Sequence, residues 1–172
     1  MLIVSNHAFE HIGSPTNAII RLNLAWMASR DEAERTLANL RGAEVYLDFP
    51  QGRSKPPKPV VTLDEAIELA NKYGVKYFAV SNVETPLTLL GIKTLLHPDI
   101  EMVPKIETAT GVANLKEIIT KTGVKYIMLD AEDLWTDVNH DSNEFNRLKE
   151  ITRKHGAECG VHVLELAGVI FG

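Results

Sequence analysis

The 172-residue sequence lacks several features that mark particular classes of protein. It has one cysteine, Cys159, so it can form neither an internal disulfide nor a cysteine-rich metal site. No apolar run approaches the roughly 18 residues of a membrane-spanning helix, and "MLIVSNHAFEHIG" lacks the basic and apolar regions of a signal peptide. We therefore expect a protein of the reducing cytoplasm with no membrane partner.

Positive charge is also scarce. The chain has 18 basic and 23 acidic residues, a net charge of -5, and no long basic run, which argues against a nucleic-acid-binding surface. Its apolar content of 45% and charged content of 24% are ordinary for a globular protein. We predict a single domain over residues 1–172 whose partner is a small molecule.

Short β-branched or aromatic runs alternate with helix-like runs along the chain. The tetrapeptide "GVKY" at 74–77 recurs at 123–126, each time between a helix-like run and a strand-like one. This alternation predicts repeated βα units with parallel strands, in either a doubly wound sheet or a (β/α)8 barrel. The six strand candidates are 18–26, 43–49, 75–81, 101–107, 124–130 and 157–163, and "MLIVS" is a candidate for a seventh.

Two observations favour the barrel. No Gly-rich phosphate fingerprint follows an early strand, which weakens the dinucleotide-binding alternative. Polar residues collect instead at the C-terminal ends of strands, which in a barrel share the face where active sites are built. They are Arg21, Asn23, Asp48, Ser81, Lys105, Glu107, Asp130 to Asp133, and His162.

The length sets a limit on this barrel. A complete barrel takes about 250 residues in typical cases, and no clear eighth βα unit follows "AECGVHVLELAGVIFG". The predicted fold is therefore α/β, a TIM-barrel-like arrangement of parallel strands that is shortened or incomplete. An uncovered sheet edge is an aggregation hazard, so we also predict a homo-oligomer.

Two acids are candidate metal ligands. Glu107 ends one predicted strand and Asp133 lies just beyond the next, with a single helix-forming segment between them. Neighbouring carboxylates on one rim suit Mg²⁺ or Mn²⁺, because hard cations prefer oxygen ligands. The alternative is that Glu107 pairs locally with Lys105 and that Asp133 is an acid of the turn "DAEDLWTD".

Two basic residues have similar alternatives. Lys105 either pairs with Glu107 or snorkels to solvent, or it neutralises charge that develops on a substrate oxygen. Arg21 lies among apolar residues, and a buried guanidinium needs a partner. That partner is Asp48 on the next strand, or a substrate carboxylate or phosphate, or both in turn.

These residues resemble those of the phosphoenolpyruvate/pyruvate-binding TIM barrels. "VPKIETATGVANLKEI" followed by "YIMLDAEDLWTDV" is similar to the citrate lyase beta-subunit and HpcH/HpaI aldolase group. In that group an IET-containing strand end and a later E-D-L turn supply the two acids that hold magnesium. The resemblance implies that Glu107 and Asp133 are those acids.

Residues 18–138 also resemble the catalytic barrel of pyruvate kinase, in the order of "IIRLNLAW", "EVYLDFPQGRSK", "VPKIETATG" and "YIMLDAEDL". This likeness implies that Lys105 stabilises phosphoryl transfer, that Arg21 faces a phosphate, and that Asn23 and Asp48 belong to a monovalent-cation site. The chain departs from the kinase pattern at that site, where Ala25 and Phe49 replace a serine and a threonine. It also has only "GRSKPPKPV" where the kinase inserts a lid domain.

The expected function is a divalent-metal-dependent carbon-carbon lyase or aldolase that acts on a 2-oxo acid of the pyruvate or oxaloacetate type. Mg²⁺ or Mn²⁺ on Glu107 and Asp133 would act as a Lewis acid, with Lys105 and Arg21 as catalytic cations. The predicted substrate-binding residues are Arg21, Asn23, Asp48, Ser81 and Thr108, and the candidate bases are His7, His11 and His162. The alternatives are a pyruvate-kinase-like phosphotransferase or its degenerate relative, and a non-catalytic binding or assembly protein on a truncated barrel.

Overall fold

The computed structural model describes residues 3–5, 19–52 and 57–165, so His7 and His11 lie outside the described residues. The chain divides into two compact units. The first unit comprises the described residues up to Ala79 together with Leu95–Ile100, and the second comprises Val80–Thr94 and the described residues from Glu101 onward.

Strands and helices alternate through the described residues. The strands are β1 (Ile3–Ser5), β2 (Ile19–Asn23), β3 (Val45–Phe49), β4 (Tyr77–Val80), β5 (Glu101–Ile106), β6 (Tyr126–Leu129) and β7 (His162–Glu165). The helices are α1 (Arg30–Asn39), α2 (Leu63–Tyr73), α3 (Pro86–Lys93), α4 (Ala109–Ala113), α5 (Leu115–Thr122), α6 (Ala131–Asp137) and α7 (Ser142–Glu158), and a 3-10 turn covers Leu24–Trp26.

In the first unit, β1, β2 and β3 pair in parallel, and Asn23 lies opposite Asp48 at the ends of β2 and β3. Helix α2 begins with a capping box, because the Thr62 hydroxyl accepts from the Glu65 N–H while the Glu65 carboxylate accepts from the Thr62 N–H. The apolar side chains between strands and helices are almost completely buried, among them Leu22, Leu24, Leu37, Tyr46, Leu47 and Leu69. Burial of this kind stabilises the unit by about 1.5–3 kcal/mol for each large side chain.

In the second unit, β5, β6 and β7 pair in parallel. The register places Lys105 opposite Met128 and Ile106 opposite Leu129, so Glu107 and Asp130 are the next residues beyond the paired ends. The buried side chains of this unit include Leu89, Ile106, Leu115, Ile118, Ile127 and Leu129. The sheet therefore brings two acids to the C-terminal ends of adjacent strands.

The predicted α/β class with parallel strands and a shortened (β/α)-barrel pattern is confirmed. All six predicted strands are present, and the candidate seventh is β1. The last strand lies later than predicted, because α7 continues through Ala157 and Glu158 and the chain turns at Gly160, where φ is 68°.

Two helices also differ from the prediction. The single helix-forming segment predicted between Glu107 and Asp133 forms two helices, α4 and α5, which meet at Asn114. The predicted turn "DAEDLWTD" forms helix α6, because the Asp130 carboxylate caps its first turn. No helix within the described ranges is long and apolar enough to cross a membrane.

Candidate metal centre

Glu107 is the most buried acid at the ends of the second unit's strands. It directly follows β5, it is 3% exposed, and its Oε2 accepts a 2.8 Å hydrogen bond from the Asn82 N–H. Asn82 follows β4 and has a left-handed φ of 53°, so the backbone there is held in a conformation that few non-glycine residues adopt. Burial raises the pKa of Glu107, and the Lys105 ammonium and the Asn82 N–H oppose that rise.

Two aspartates lie beside Glu107. Asp130 follows β6 and is 9% exposed, and Asp133 lies in the first turn of α6 and is partly exposed. One carboxylate oxygen from each of these three acids lies within 4.8 Å of the others. The sheet register fixes the first two acids, and the start of α6 adds the third.

The donor set suits a hard divalent cation. All three donors are carboxylate oxygens, the ligands that Mg²⁺ and Mn²⁺ prefer. Magnesium binds oxygens at about 2.1 Å, so oxygens on opposite sides of one ion are about 4.2 Å apart. Among three ligands of one octahedral ion, neighbouring oxygens are about 3 Å apart, so oxygens that lie up to 4.8 Å apart would have to move closer together to bind one ion.

Lys105 lies against the same carboxylates. It is 4% exposed, and its Nζ is 2.7 Å from Glu107 Oε1 and 3.2 Å from Asp130 Oδ2. The ammonium also donates to Ser81 Oγ at 3.2 Å, and Ser81 itself is 5% exposed. The predicted pairing of Lys105 with Glu107 is therefore present, and it includes a second acid and a serine.

Thr108, predicted to bind substrate, begins α4. Its Oγ1 accepts from the Gly111 N–H at 3.0 Å and donates to Glu84 Oε1 at 2.7 Å. The backbone carbonyl of Glu84 also accepts a 2.9 Å hydrogen bond from the Asn114 side chain. These contacts fasten the loop after β4 to the start of α4 and α5.

The three other predicted substrate-binding residues belong to the first unit. Arg21 forms an ion pair with Asp48, with its Nε 2.9 Å from Asp48 Oδ2, which is one of the two partners that the sequence allows. Asn23 caps the 3-10 turn, because its Oδ1 accepts from the Ala25 N–H at 2.9 Å. The predicted position of the candidate base His162 at the C-terminal end of a strand is wrong, because His162 is the first residue of β7 and lies opposite Tyr126 at the start of β6. Its ring stacks on Tyr126 with ring centroids 5.3 Å apart.

Sequence reasoning selected Glu107 and Asp133 as ligands, and the structure brings them together. It did not assign Asp130 as a ligand, although Asp130 was among the acids noted at the strand ends. The signal for Asp130 was its position directly after "YIML", which makes it the counterpart of Glu107 on the neighbouring strand.

Parallel βα units, with two carboxylates at adjacent strand ends and a third in the first turn of α6, define an α/β protein with a candidate centre for a divalent cation. The family model for HpcH/HpaI aldolase/citrate lyase matches residues 57–165, more than half of the chain. The chain belongs to the HpcH/HpaI aldolase/citrate lyase family. Membership supports, at the level of the family, a lyase or aldolase that acts on a 2-oxo acid.

Solved structures share the fold. RipC from Yersinia pestis is 14% identical with a TM-score of 0.66, over 98% of this chain and 76% of that chain. An HpcH/HpaI aldolase/citrate lyase family protein from Burkholderia cenocepacia J2315 is 14% identical with a TM-score of 0.72, over 97% of this chain and 79% of that chain. The citrate synthase SbnG is 13% identical with a TM-score of 0.72, over 88% of this chain and 69% of that chain. No curated protein matches the sequence significantly.

Proposed function

We propose that this protein is a divalent-metal-dependent carbon-carbon lyase or aldolase that acts on a 2-oxo acid of the pyruvate or oxaloacetate type. The observation that carries the proposal is the approach of the Glu107, Asp130 and Asp133 carboxylates to within 4.8 Å of one another in a chain of this family. Mg²⁺ or Mn²⁺ held by these acids would supply a Lewis acid for the carbonyl of the 2-oxo acid.

The residues of the site have different roles in this proposal. Glu107 is held by the Asn82 N–H, which orients its carboxylate before a ligand arrives. Lys105 supplies a fixed positive charge in a buried setting, where charge stabilisation is stronger than in water. Arg21, Asn23, Asp48, Ser81 and Thr108 remain predictions as substrate-binding residues, and the homo-oligomer and the cytoplasmic location remain predictions as well.

Two measurements test the proposal. Calorimetric titration with Mn²⁺ or Mg²⁺, with and without oxalate, is expected to detect binding that Glu107→Gln abolishes. Exchange of the pyruvate methyl protons with deuterium, followed by NMR, tests proton removal next to the carbonyl without any second substrate. Glu107→Gln is expected to slow that exchange at least about 100-fold, since loss of an orienting partner alone costs 10–100-fold.

Glu117→Gln is the matched control. Glu117 is an exposed acid of α5 that pairs with Lys121 at 2.6 Å, so the same substitution there removes a carboxylate away from the cluster. It should leave both metal binding and proton exchange unchanged. The proposal fails if the unaltered protein binds neither metal, or if both glutamate variants behave alike.

The two alternatives from the sequence remain predictions. A coupled assay with ADP and phosphoenolpyruvate tests the phosphotransferase. A non-catalytic binding protein is supported if the chain binds no metal and forms a stable complex with another protein.

A further inference from the structure

The Lys105 ammonium touches the carboxylates that would hold the metal. An ammonium group has three N–H donors, and Glu107 Oε1, Asp130 Oδ2 and Ser81 Oγ lie 2.7, 3.2 and 3.2 Å from Lys105 Nζ. Two of the three candidate metal ligands therefore already face a cation that belongs to the chain. The lysine is 4% exposed, so water cannot screen this interaction as it does at a surface.

A divalent ion and this ammonium would both bind the carboxylates of Glu107 and Asp130. Like charges repel most strongly where the dielectric is low, so an ion that approaches Glu107 and Asp130 meets the Lys105 charge directly. An ion that binds the carboxylate oxygens facing Lys105 would require the ammonium to give up at least one of them. A buried cation that has lost a partner is costly until it finds another.

We propose that Lys105 is an internal counter-cation that competes with the metal for Glu107 and Asp130, and that an anionic substrate relieves this competition. The inference rests on the proposed function, because it needs a metal at these acids. The carboxylate of a 2-oxo acid offers the displaced ammonium a new anionic partner. Metal and substrate therefore bind with positive cooperativity, and each tightens the other by the same factor.

The alternative role for Lys105 is that it only stabilises the fold, and this role predicts a different change in metal affinity when the lysine is removed. A lysine whose main effect is to hold these carboxylates in place would favour the metal, and its removal would weaken metal binding or leave it unchanged. Competition predicts the opposite sign, since removal of the ammonium then frees two carboxylates for the ion. The sign of the change in metal affinity therefore separates the two roles.

The test is calorimetric titration of the full chain with Mn²⁺, with and without oxalate, on the unaltered protein and Lys105→Met. Lys105→Met is expected to bind Mn²⁺ alone at least about fivefold more tightly, the lower end of typical coupling between sites. The tightening by oxalate should shrink by the same factor. Lys121→Met, which removes an exposed lysine paired with Glu117, is the matched control and should change neither quantity.

Removal of Lys105 leaves two carboxylates without this cation, and that change can unfold the protein. Circular dichroism of each variant checks folding. If Lys105→Met does not fold, the comparison is made between Asp130→Asn and the Asp130→Asn/Lys105→Met double variant, where one carboxylate fewer is left. An increase in Mn²⁺ affinity is expected on that background too, but a smaller one, because only the Glu107 carboxylate then faces Lys105.

The outcomes distinguish the two proposals. If the unaltered protein binds Mn²⁺ and the folded lysine variant binds it no more tightly, the counter-cation assignment is overturned and the metal site stands. If neither protein binds Mn²⁺, even with oxalate, both proposals fail. Unchanged tightening by oxalate in the lysine variant also overturns the assignment.

Discussion

Gly111 lies where the start of α4 passes closest to the loop after β4. A Cβ atom at this position would be 2.8 Å from the Val83 carbonyl oxygen and 3.3 Å from Thr108 Oγ1. The first contact is with backbone, which cannot move aside as the end of a flexible side chain can. Val83 is also fixed from its other side, because its N–H donates to the Lys105 carbonyl at 3.2 Å.

Gly111→Ala is therefore expected to destabilise the protein. An ordinary contact begins near 3.4 Å, so the backbone must shift by several tenths of an ångström to accept the methyl group. Overpacking of this kind costs about 1–3 kcal/mol, and the helix preference of alanine over glycine returns about 0.5–1 kcal/mol. The net loss in the free energy of unfolding should be about 1–2 kcal/mol.

Gly91→Ala is the matched control for this prediction. Gly91 is an exposed residue within α3, and a Cβ there would meet nothing within 4 Å. The same substitution should stabilise the protein by about 0.5–1 kcal/mol, because only the helix preference acts. Urea unfolding followed by circular dichroism measures both variants.

The two variants should differ in sign. If Gly111→Ala stabilises the protein as much as Gly91→Ala does, that result would contradict a close contact between α4 and the loop after β4. A second readout is Mn²⁺ affinity, which Gly111→Ala should weaken, because the Val83 shift disturbs the neighbouring Asn82 N–H that holds Glu107. Gly91→Ala should leave that affinity unchanged.

Three further predictions concern stability, each measured by urea unfolding. Asp48→Asn should cost about 3 kcal/mol, because it leaves Arg21 without the carboxylate of a largely buried pair; a loss below about 1 kcal/mol would contradict that reasoning. Thr62→Ala should cost about 1 kcal/mol through loss of the capping box, whereas Thr85→Ala, at a cap without a side-chain hydrogen bond, should cost much less. Burial lowers the pKa of His155 below its ordinary 6.5, so its contribution to stability is present above pH 6.5 and is lost as pH falls through the lowered pKa. His155→Gln should reduce the loss in the free energy of unfolding at low pH, and an unchanged pH dependence of that free energy would contradict the prediction.

The order of strands was predictable because hydrophobic runs and breakers recur with the period of βα units. The position of the last strand was not predicted well, since the predicted run "AECGVHV" begins with Ala157 and Glu158, which continue α7. Alanine and glutamate favour a helix as long as a preceding helix can continue into them. The structure ends that helix at Glu158, the positive φ of Gly160 makes the turn, and β7 follows from His162.

The candidate site was partly predictable, because the predicted strands already indicate which residues lie at their C-terminal ends. The positions of Glu107 and Asp133 relative to their strands were enough to bring them to one rim. Asp130 was harder to assign, because an acid before a helix is usually a cap, and Asp130 does cap α6. Only the register of β5 against β6 reveals that this cap also lies beside Glu107.

The Lys105–Glu107 pair illustrates what sequence spacing can and cannot decide. Alternation along β5 put both side chains on one side of the strand, and the 2.7 Å contact agrees with it. Spacing left local pairing and a role toward substrate as alternatives, and the buried geometry makes them compatible. A cation held between two acids stabilises their charges, and the same contacts would give it a reason to move if a metal bound those acids. Local pairing is therefore not an argument against function here, because it sets the competition that substrate binding would relieve.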